Sequence, residues 1–215
     1  MKFKLVEITS KETFNYSGQV HDLTVEDDHS YSINNIVVHN SICSTRIQTS
    51  FGVPTLHAVM DAYYAKQRNP HFQNVAIIAD GGIRYPGDFV KALAAGADAI
   101  MCGRILAQTE ESPGTPVWDD NAGIMKKPYR GMASSDVQQD KRGGLKPMTC
   151  AEGVSTTLPV IGSVRSVIEE FAGGLRSGMT YANATTLAQL RTNATFIKIT
   201  SAGLSESHAF GTRKE

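Results

Sequence analysis

His39, Asn40 and Ser41 follow one another directly, and an imidazole, a side-chain amide and a hydroxyl in that order are the parts needed to break a peptide bond. An Asn amide nitrogen can attack its own carbonyl carbon and cut the chain behind it when a neighbouring imidazole supplies a proton and the next residue is a hydroxyl or thiol. Two residues on, Cys43 lies in the polar run Ser44-Thr45-Arg46. A thiol near a cation and hydroxyl donors tends towards the reactive thiolate. Taken alone, His-Asn-Ser is an ordinary turn composition, and a single Cys is most often a small buried hydrophobe. The flanking elements decide between these readings.

Upstream, the first forty residues read as a small all-β unit. Lys2 to Ile8, Gln19 to Val25 and Ser30 to Val38 alternate as strands, separated by Tyr16-Ser17-Gly18 and Glu26-Asp27-Asp28. So short a unit cannot close a β core alone and predicts a partner. The run from Val20 to Tyr31, then Ile36-Val37-Val38-His39-Asn40-Ser41, resembles the two C-terminal motifs of an intein, in order and at the usual separation. The resemblance implies that Asn40 cyclises, His39 assists, and His29 and Asp22 support the site. Ser41 would accept the upstream chain as an ester before the acyl group moves to nitrogen. The intein's N-terminal nucleophile and Thr-x-x-His motif are not among these residues. Residues 1–40 are therefore expected to be the C-terminal fragment of a split intein of Hint-type fold. The expected partner is an N-terminal split-intein fragment carrying the other half of the downstream protein.

From Ser41 onward, helix and strand alternate. Val53-Pro54 opens a predicted helix to about Gln67, with Leu56, Val59, Met60 and Tyr63 on one face and Pro in its first turn. Val75 to Ala79 is a continuous apolar strand ending in Asp80-Gly81-Gly82, Pro86 to Ala97 is helical, and Ala99 to Cys102 is a second buried strand ending in Gly103-Arg104. This order predicts an α/β fold with a parallel sheet under covering helices, and ligands at the C-terminal ends of its strands. Two strands that end in Gly suggest one shared phosphate site.

Ser41 to Thr45, Gly52-Val53-Pro54, Ala79 to Asp88 and Ala92 to Asp98 resemble IMP dehydrogenase and its sister GMP reductase, and the likeness runs almost to the end of the chain. The resemblance implies a (β/α)8 TIM barrel in which Cys43 attacks C2 of a purine nucleotide, with Ser41 among the nucleotide-binding residues. Asp80 would bind the ribose hydroxyls, Gly82 and Gly103 the 5'-phosphate with help from Tyr129, and Gly131 and Met132 the base. Thr45 and Glu152 would handle the proton. Arg104 departs from the small Ser usual in the dehydrogenases, and either adds a phosphate contact or shifts the site by its bulk. A whole barrel takes about 250 residues and eight strands. Residues 41–215 supply the last two strands, a flap and two further helices, so the chain is expected to enter the C-terminal portion of the barrel at its catalytic loop, 41–52, and to need the other half for activity.

The segment from Thr109 to Leu158 is polar, rich in Gly, Pro and Lys, and long enough to be a lid. It lacks the Arg-Tyr pair of the dehydrogenase flap, and its spacing from Met132 through Gly143-Gly144 to Glu152-Gly153 resembles the short flap of the reductases. Thr149 and Ala151 stand where the reductases have a base-reading Arg and Ser. Thr200 to His208 resembles the dehydrogenase C-terminus instead. That likeness implies a homotetramer in which Glu206, Ser207 and His208 help a neighbouring subunit's Cys43 loop to hold potassium by backbone oxygens, donors that suit a hard cation. The expected mature activity is conversion of IMP, NAD and water to XMP and NADH. The alternatives are a GMP reductase that uses NADPH and releases ammonia, and a chain whose own chemistry is self-processing alone.

Composition sets the outer limits. With 21 basic and 21 acidic residues, the charge balance argues against a nucleic-acid surface. No apolar run approaches a membrane span, and Met1-Lys2-Phe3-Lys4 lacks a signal-peptide core. Three widely spaced Cys form neither a zinc nor a disulfide pattern, which points to the cytoplasm. Residues 183–193 read as a surface helix, and Phe171 to Gly178 as a barrel helix end with Arg176 in solvent. His57 and His71 are assigned to packing or solvent, Cys102 to an inert position within a strand, and Cys150 to the surface. Trp118 either caps a cofactor site or is a surface aromatic in a hairpin, and Lys126-Lys127 is too short a charge run to imply nucleic acid.

Overall fold

Helix α1 (Thr55–Arg68) begins directly after Pro54, which sits at the N-cap rather than inside the first turn. Lys66 and Arg68 favour the negative end of the helix, and Asn69 leaves it in an extended conformation because Pro70 follows. The structure, a computed structural model, describes residues 30–33 and 36–39 as backbone, and residues 44, 48, 50, 52–145, 148 and 150–207. A 3-10 turn (Pro70–Phe72) leads to strand β3 (Ala76–Asp80), helix α2 (Pro86–Ala94) and strand β4 (Ala99–Met101). β3 and β4 pair in parallel, Ile78 opposite Ala99 and Asp80 opposite Met101. The expected helix over 86–97 ends at Ala94, ahead of the left-handed Gly96.

The strand expected over Ser30 to Val38 is two strands, β1 (Ser30–Ile33) and β2 (Ile36–His39), paired antiparallel with Ser30 opposite His39. Asn34-Asn35, residue types that favour turns, lies between them. β2 also pairs in parallel with β3, so the sheet order is β1-β2-β3-β4. The strands expected in residues 1–29 lie outside the described residues.

The core packs α1 and helix α5 (Val164–Tyr181) around β3 through Val59, Ile77, Ala79, Ala92, Val167 and Phe171. A second cluster joins Leu93 and Ala94 of α2 to Met179 and to Leu190 of helix α6 (Leu187–Asn193). α6 is therefore a packed element and not a surface helix: Leu190 is buried, and Arg191 donates to the Ala97 carbonyl at 2.6 Å and to Asp98 at 2.9 Å. Nor does α5 end at its glycines. A Cβ at Gly174 or Gly178 would collide with Pro86 or Val90, so these residues mark a close approach of α5 to α2. β4 is the outer strand of the described sheet, and Ala99 and Met101 are exposed where burial was expected.

The lid folds into a sheet of its own. A short helix, α3 (Arg104–Ala107), leads to strands β5 (Val117–Asp119) and β6 (Ile124–Arg130), helix α4 (Ser135–Arg142) and strand β7 (Ser155–Pro159). β6 lies between β5 and β7, antiparallel to both. The last element among the described residues is α7 (Ser201–Glu206). Among the described residues no helix is long and apolar enough to cross a membrane.

Candidate active site

β3 delivers Asp80 at its C-terminal end, where the residue is 6% exposed and its carbonyl accepts a hydrogen bond from the Thr55 hydroxyl at 3.4 Å. Gly81 and Gly82 then turn the chain with positive φ, and among the described residues none comes within 4 Å of where a Cβ at Gly82 would sit. Buried Ile83 anchors this turn from below. Asp88 folds it onto α2 by accepting from the Arg84 backbone N–H at 3.2 Å and from its guanidinium at 3.3 Å. The next strand, β4, is followed by half-buried Cys102 and Gly103, and exposed Arg104 opens α3.

Electrostatics tie these residues to the lid. Burial raises the Tyr129 phenol pKa, the Asp80 charge raises it further, and Arg104 opposes both. Burial and the same Asp80 charge raise the Cys102 thiol. Asp80, Cys102, Arg104 and Tyr129, carried by β3, the end of β4, α3 and β6, thus share one electrostatic neighbourhood. Cys102 lies just past its strand rather than within it, and a thiol so raised is a poor nucleophile. Its place beside Gly103 was the signal that it borders the site.

Beyond Tyr129 the lid is stitched across its own ends. Gly131 N–H donates to the Val154 carbonyl at 2.9 Å, Gly153 N–H to the Ala133 carbonyl at 2.9 Å, and Ser134 N–H to the Gly131 carbonyl at 3.0 Å. Gly153 is required there, because a Cβ would fall on the Ala133–Ser134 peptide. This stitching sets half-buried Glu152 next to buried Gly131 and exposed Met132. The Glu152 carbonyl also accepts the Ser44 backbone N–H, so the residue after Cys43 is held against the lid.

Lys127 is the functional-region residue that its pattern concealed. Read as half of a short charge run, it is 2% exposed. Its ammonium donates to the carbonyls of Thr109, Glu110 and Ser112 at 2.9, 2.8 and 2.7 Å, pinning the turn after α3 to the middle of β6. Its register opposite Leu158, itself buried, is the structural cause.

Of the other expected site residues, Cys43, Thr45, Asn40, Ser41, His29, Asp22 and His208 lie outside the described residues, and His39 is placed by its backbone at the end of β2. Glu206 ends α7, and Ser207 bonds back to the Gly203 carbonyl at 2.8 Å, both exposed. Trp118 is an exposed aromatic in the β5–β6 hairpin, and Cys150 is exposed as expected. His57 pairs with Asp61 at 3.2 Å on the surface, and His71 is exposed in its 3-10 turn. Thr109 is buried, and the Glu110 N–H donates to the Gly162 carbonyl at 2.9 Å, which ties the start of this segment to the residues just before α5.

The description of an IMP dehydrogenase / GMP reductase domain matches residues 37–210. The chain belongs to the IMP dehydrogenase / GMP reductase family. The match starts inside β2, just ahead of Ser41, and leaves out residues 1–36. An inosine-5'-monophosphate dehydrogenase from Thermoplasma acidophilum is 45% identical over 172 residues, covering 78% of this chain and 34% of that protein. One from Nitrosopumilus maritimus is 45% identical over 176 residues, covering 78% of this chain and 36% of its own. A crystal structure of a Trypanosoma brucei GMP reductase variant with guanosine 5'-monophosphate superposes with a TM-score of 0.71 at 37% identity, over 80% of this chain and 35% of that one. The chain spans about a third of the length of these relatives. The α/β fold, with parallel strands β2, β3 and β4 beneath helices, is consistent with part of the family's barrel.

Proposed function

We propose that residues 41–215 form the C-terminal part of an IMP dehydrogenase. One observation carries the reading. The Ser44–Glu152 hydrogen bond sets the residue after Cys43 against the segment that also holds Gly131, next to Tyr129 with its Asp80 and Arg104 neighbours. In that arrangement the Cys43 thiolate adds to C2 of IMP and hydride leaves C2. NAD, when bound, takes up that hydride, and water then releases XMP from the thioester-like adduct. Asp80 holds the ribose hydroxyls, and the amides of Gly82 and Gly103 hold the phosphate with Tyr129 and Arg104. Gly131 and Met132 face the base, and Met132 is 67% exposed. Thr45 and Glu152 move the proton from water. In a homotetramer, Glu206, Ser207 and His208 of one copy would face the Cys43 loop of another around potassium.

A GMP reductase is the second reading, favoured by the short span between Met132 and Glu152 and by the 37% identical solved structure. The joined enzyme is given IMP with NAD and, separately, GMP with NADPH, while nicotinamide absorbance is followed. Turnover of IMP is expected, and turnover of GMP alone overturns the assignment.

We propose further that residues 1–40 are the C-terminal splicing element of an intein whose N-terminal element lies outside these 215 residues. Supporting this are the motif order, the exclusion of residues 1–36 from the family match, and a hairpin whose second strand ends at His39, next to Asn40. His39, with His29 and Asp22 behind it, assists Asn40 as the side-chain amide attacks its own carbonyl and releases Ser41. The acyl group carried on the Ser41 oxygen then shifts to the freed nitrogen. Mass spectrometry after mixing with a matching N-terminal element is expected to show loss of residues 1–40, and Asn40→Ala to prevent it. Loss without nucleotide turnover by the joined product would leave self-processing as the chain's only activity.

A further inference from the structure

Strand β2 has two partners of opposite kind. On one side it closes an antiparallel hairpin with β1, Ile33 opposite Ile36 and Tyr31 opposite Val38. On the other it runs parallel to β3, Ile36 opposite Ala76 and Val37 opposite Ile77. The connection from β2 through α1 to β3 is therefore a βαβ unit, with the Cys43 loop at its carboxyl end, where barrel enzymes carry their chemistry. The family match opens at Val37, so residues at the end of the hairpin also stand at the start of the family domain.

β3 cannot be left bare on this side. Ile77, Ala79 and Asp80 are buried, β4 takes the opposite edge of β3, and on this edge Ala76 and Ile77 are covered by β2. An open, apolar parallel edge is a template for unwanted pairing. Yet Asn40, where the proposed cut falls, is the residue directly after β2. From this we infer that Ile36–His39 is a placeholder strand. It covers the β3 edge and holds the base of the Cys43 loop in the precursor, and it gives up that place to a strand from the segment newly joined to Ser41. The incoming strand must be short, apolar and parallel to β3, entering opposite Ala76 and Ile77. The covering of β3 stands on the pairing alone, while the later exchange rests on the splicing reading above.

The full chain tests this by amide hydrogen exchange read by peptide mass. In an Ile36→Pro/Val37→Pro variant, which removes donors on both sides of the strand, the peptide covering Ala76–Asp80 is expected to exchange about tenfold faster or more. The peptide from α5 should stay unchanged. Equal exchange of the β3 peptide in both proteins overturns the inference. Should the proline variant not fold, Ile36→Cys/Ala76→Cys gives the second measure, because neighbouring strands lie about 4.8 Å apart, within disulfide reach. Oxidation is expected to link these two positions, and no link between them overturns the inference. In the linked chain mixed with a matching N-terminal element, residues 1–40 should be cut yet remain attached until reduction. Release of residues 1–40 with the link intact is impossible, so joined enzyme that is fully active while still linked would sink the exchange. A reduced chain that is never cut fails the splicing reading instead and leaves the pairing untouched.

Discussion

Around β3 the buried side chains are mostly apolar, among them Val59, Ile77, Ala79, Val167 and Phe171, whereas among β5–β7 one of the deepest is the ammonium-bearing Lys127. The first region is held by non-directional apolar packing between helices and strands. The second is held by directed bonds: three carbonyls on Lys127, the stitching of Gly131 to Val154 and of Gly153 to Ala133, and the Lys126–Asp119 ion pair across β5 and β6. Directed bonds can be opened together without dissolving a core, so this region can loosen while the packed one stays closed. The candidate site lies where the two meet, Asp80 on the packed side and Tyr129, Gly131 and Glu152 on the bonded side.

The contrast breaks most visibly at Phe171, whose ring meets Phe89 edge-on with centroids 5.7 Å apart. Phe171→Ala is expected to cost about 3–5 kcal/mol in urea unfolding, through lost burial and a cavity. Hydrogen exchange should place the loss in α2 and α5 first. If β5–β7 loosened equally, the two regions would be one cooperative unit.

Gly153→Ala tests the bonded side without touching the core. The new Cβ must push the Glu152 segment off the Ala133–Ser134 peptide, and turnover by the joined enzyme is expected to fall about 100-fold, the scale of a 1 Å misplacement. Unfolding of α5 should not change.

Lys127→Met strands the carbonyls of Thr109, Glu110 and Ser112. About 1–3 kcal/mol should be lost, the cost of a buried polar group without a partner. The loss should show as faster exchange in β6 at a nearly constant urea midpoint for the packed region. A uniform shift of both would again erase the distinction.

Acid provides a finer probe. Burial pushes the Asp98 carboxyl up, but hydrogen bonds from the Ile77 N–H, Lys66 and Arg191 outweigh it and hold the group below its ordinary value. A depressed folded-state value means stability that is present above the unfolded value, about 3.9, and is lost as pH falls through the folded one. Unfolding of the packed region should steepen with acid below about pH 4, and Asp98→Asn should flatten that limb. The smallest effect is expected at Thr186, whose hydroxyl and Gln189 make a capping box for α6. Thr186→Ala should cost about 1 kcal/mol, confined to exchange in α6 and its contact with α2.

Much of the packed region was legible because its signals are local. Pro54 and Pro86 mark helix starts, the Ile77 to Ala79 run marks a buried strand, and Asp80-Gly81-Gly82 marks its end. What escaped was set by partners distant in sequence. Gly174 and Gly178 looked like a helix end, but their bare backbone lets α5 touch Pro86 and Val90. The stretch 183–193 read as a surface helix, but its Arg191 finds acceptors in Ala97 and Asp98, more than ninety residues earlier. The segment from Thr109 to Leu158 was not legible as a sheet, since Lys127 reads as surface charge unless the turn at 109–112 folds over it.

From the sequence by itself came the reactive types and their neighbours: Asn40 before Ser41, Cys43 in a polar loop, Gly after each strand, apolar runs at strand and helix spacing. Covalent adjacency and periodicity are enough for those, because they need no knowledge of what lies across space. Only the tertiary structure decided that Ser44 meets Glu152, that Asp80 acts on both Tyr129 and Cys102, and that β2 covers β3. Each depends on which distant backbone comes within hydrogen-bonding or electrostatic range, and no single stretch of sequence contains that information.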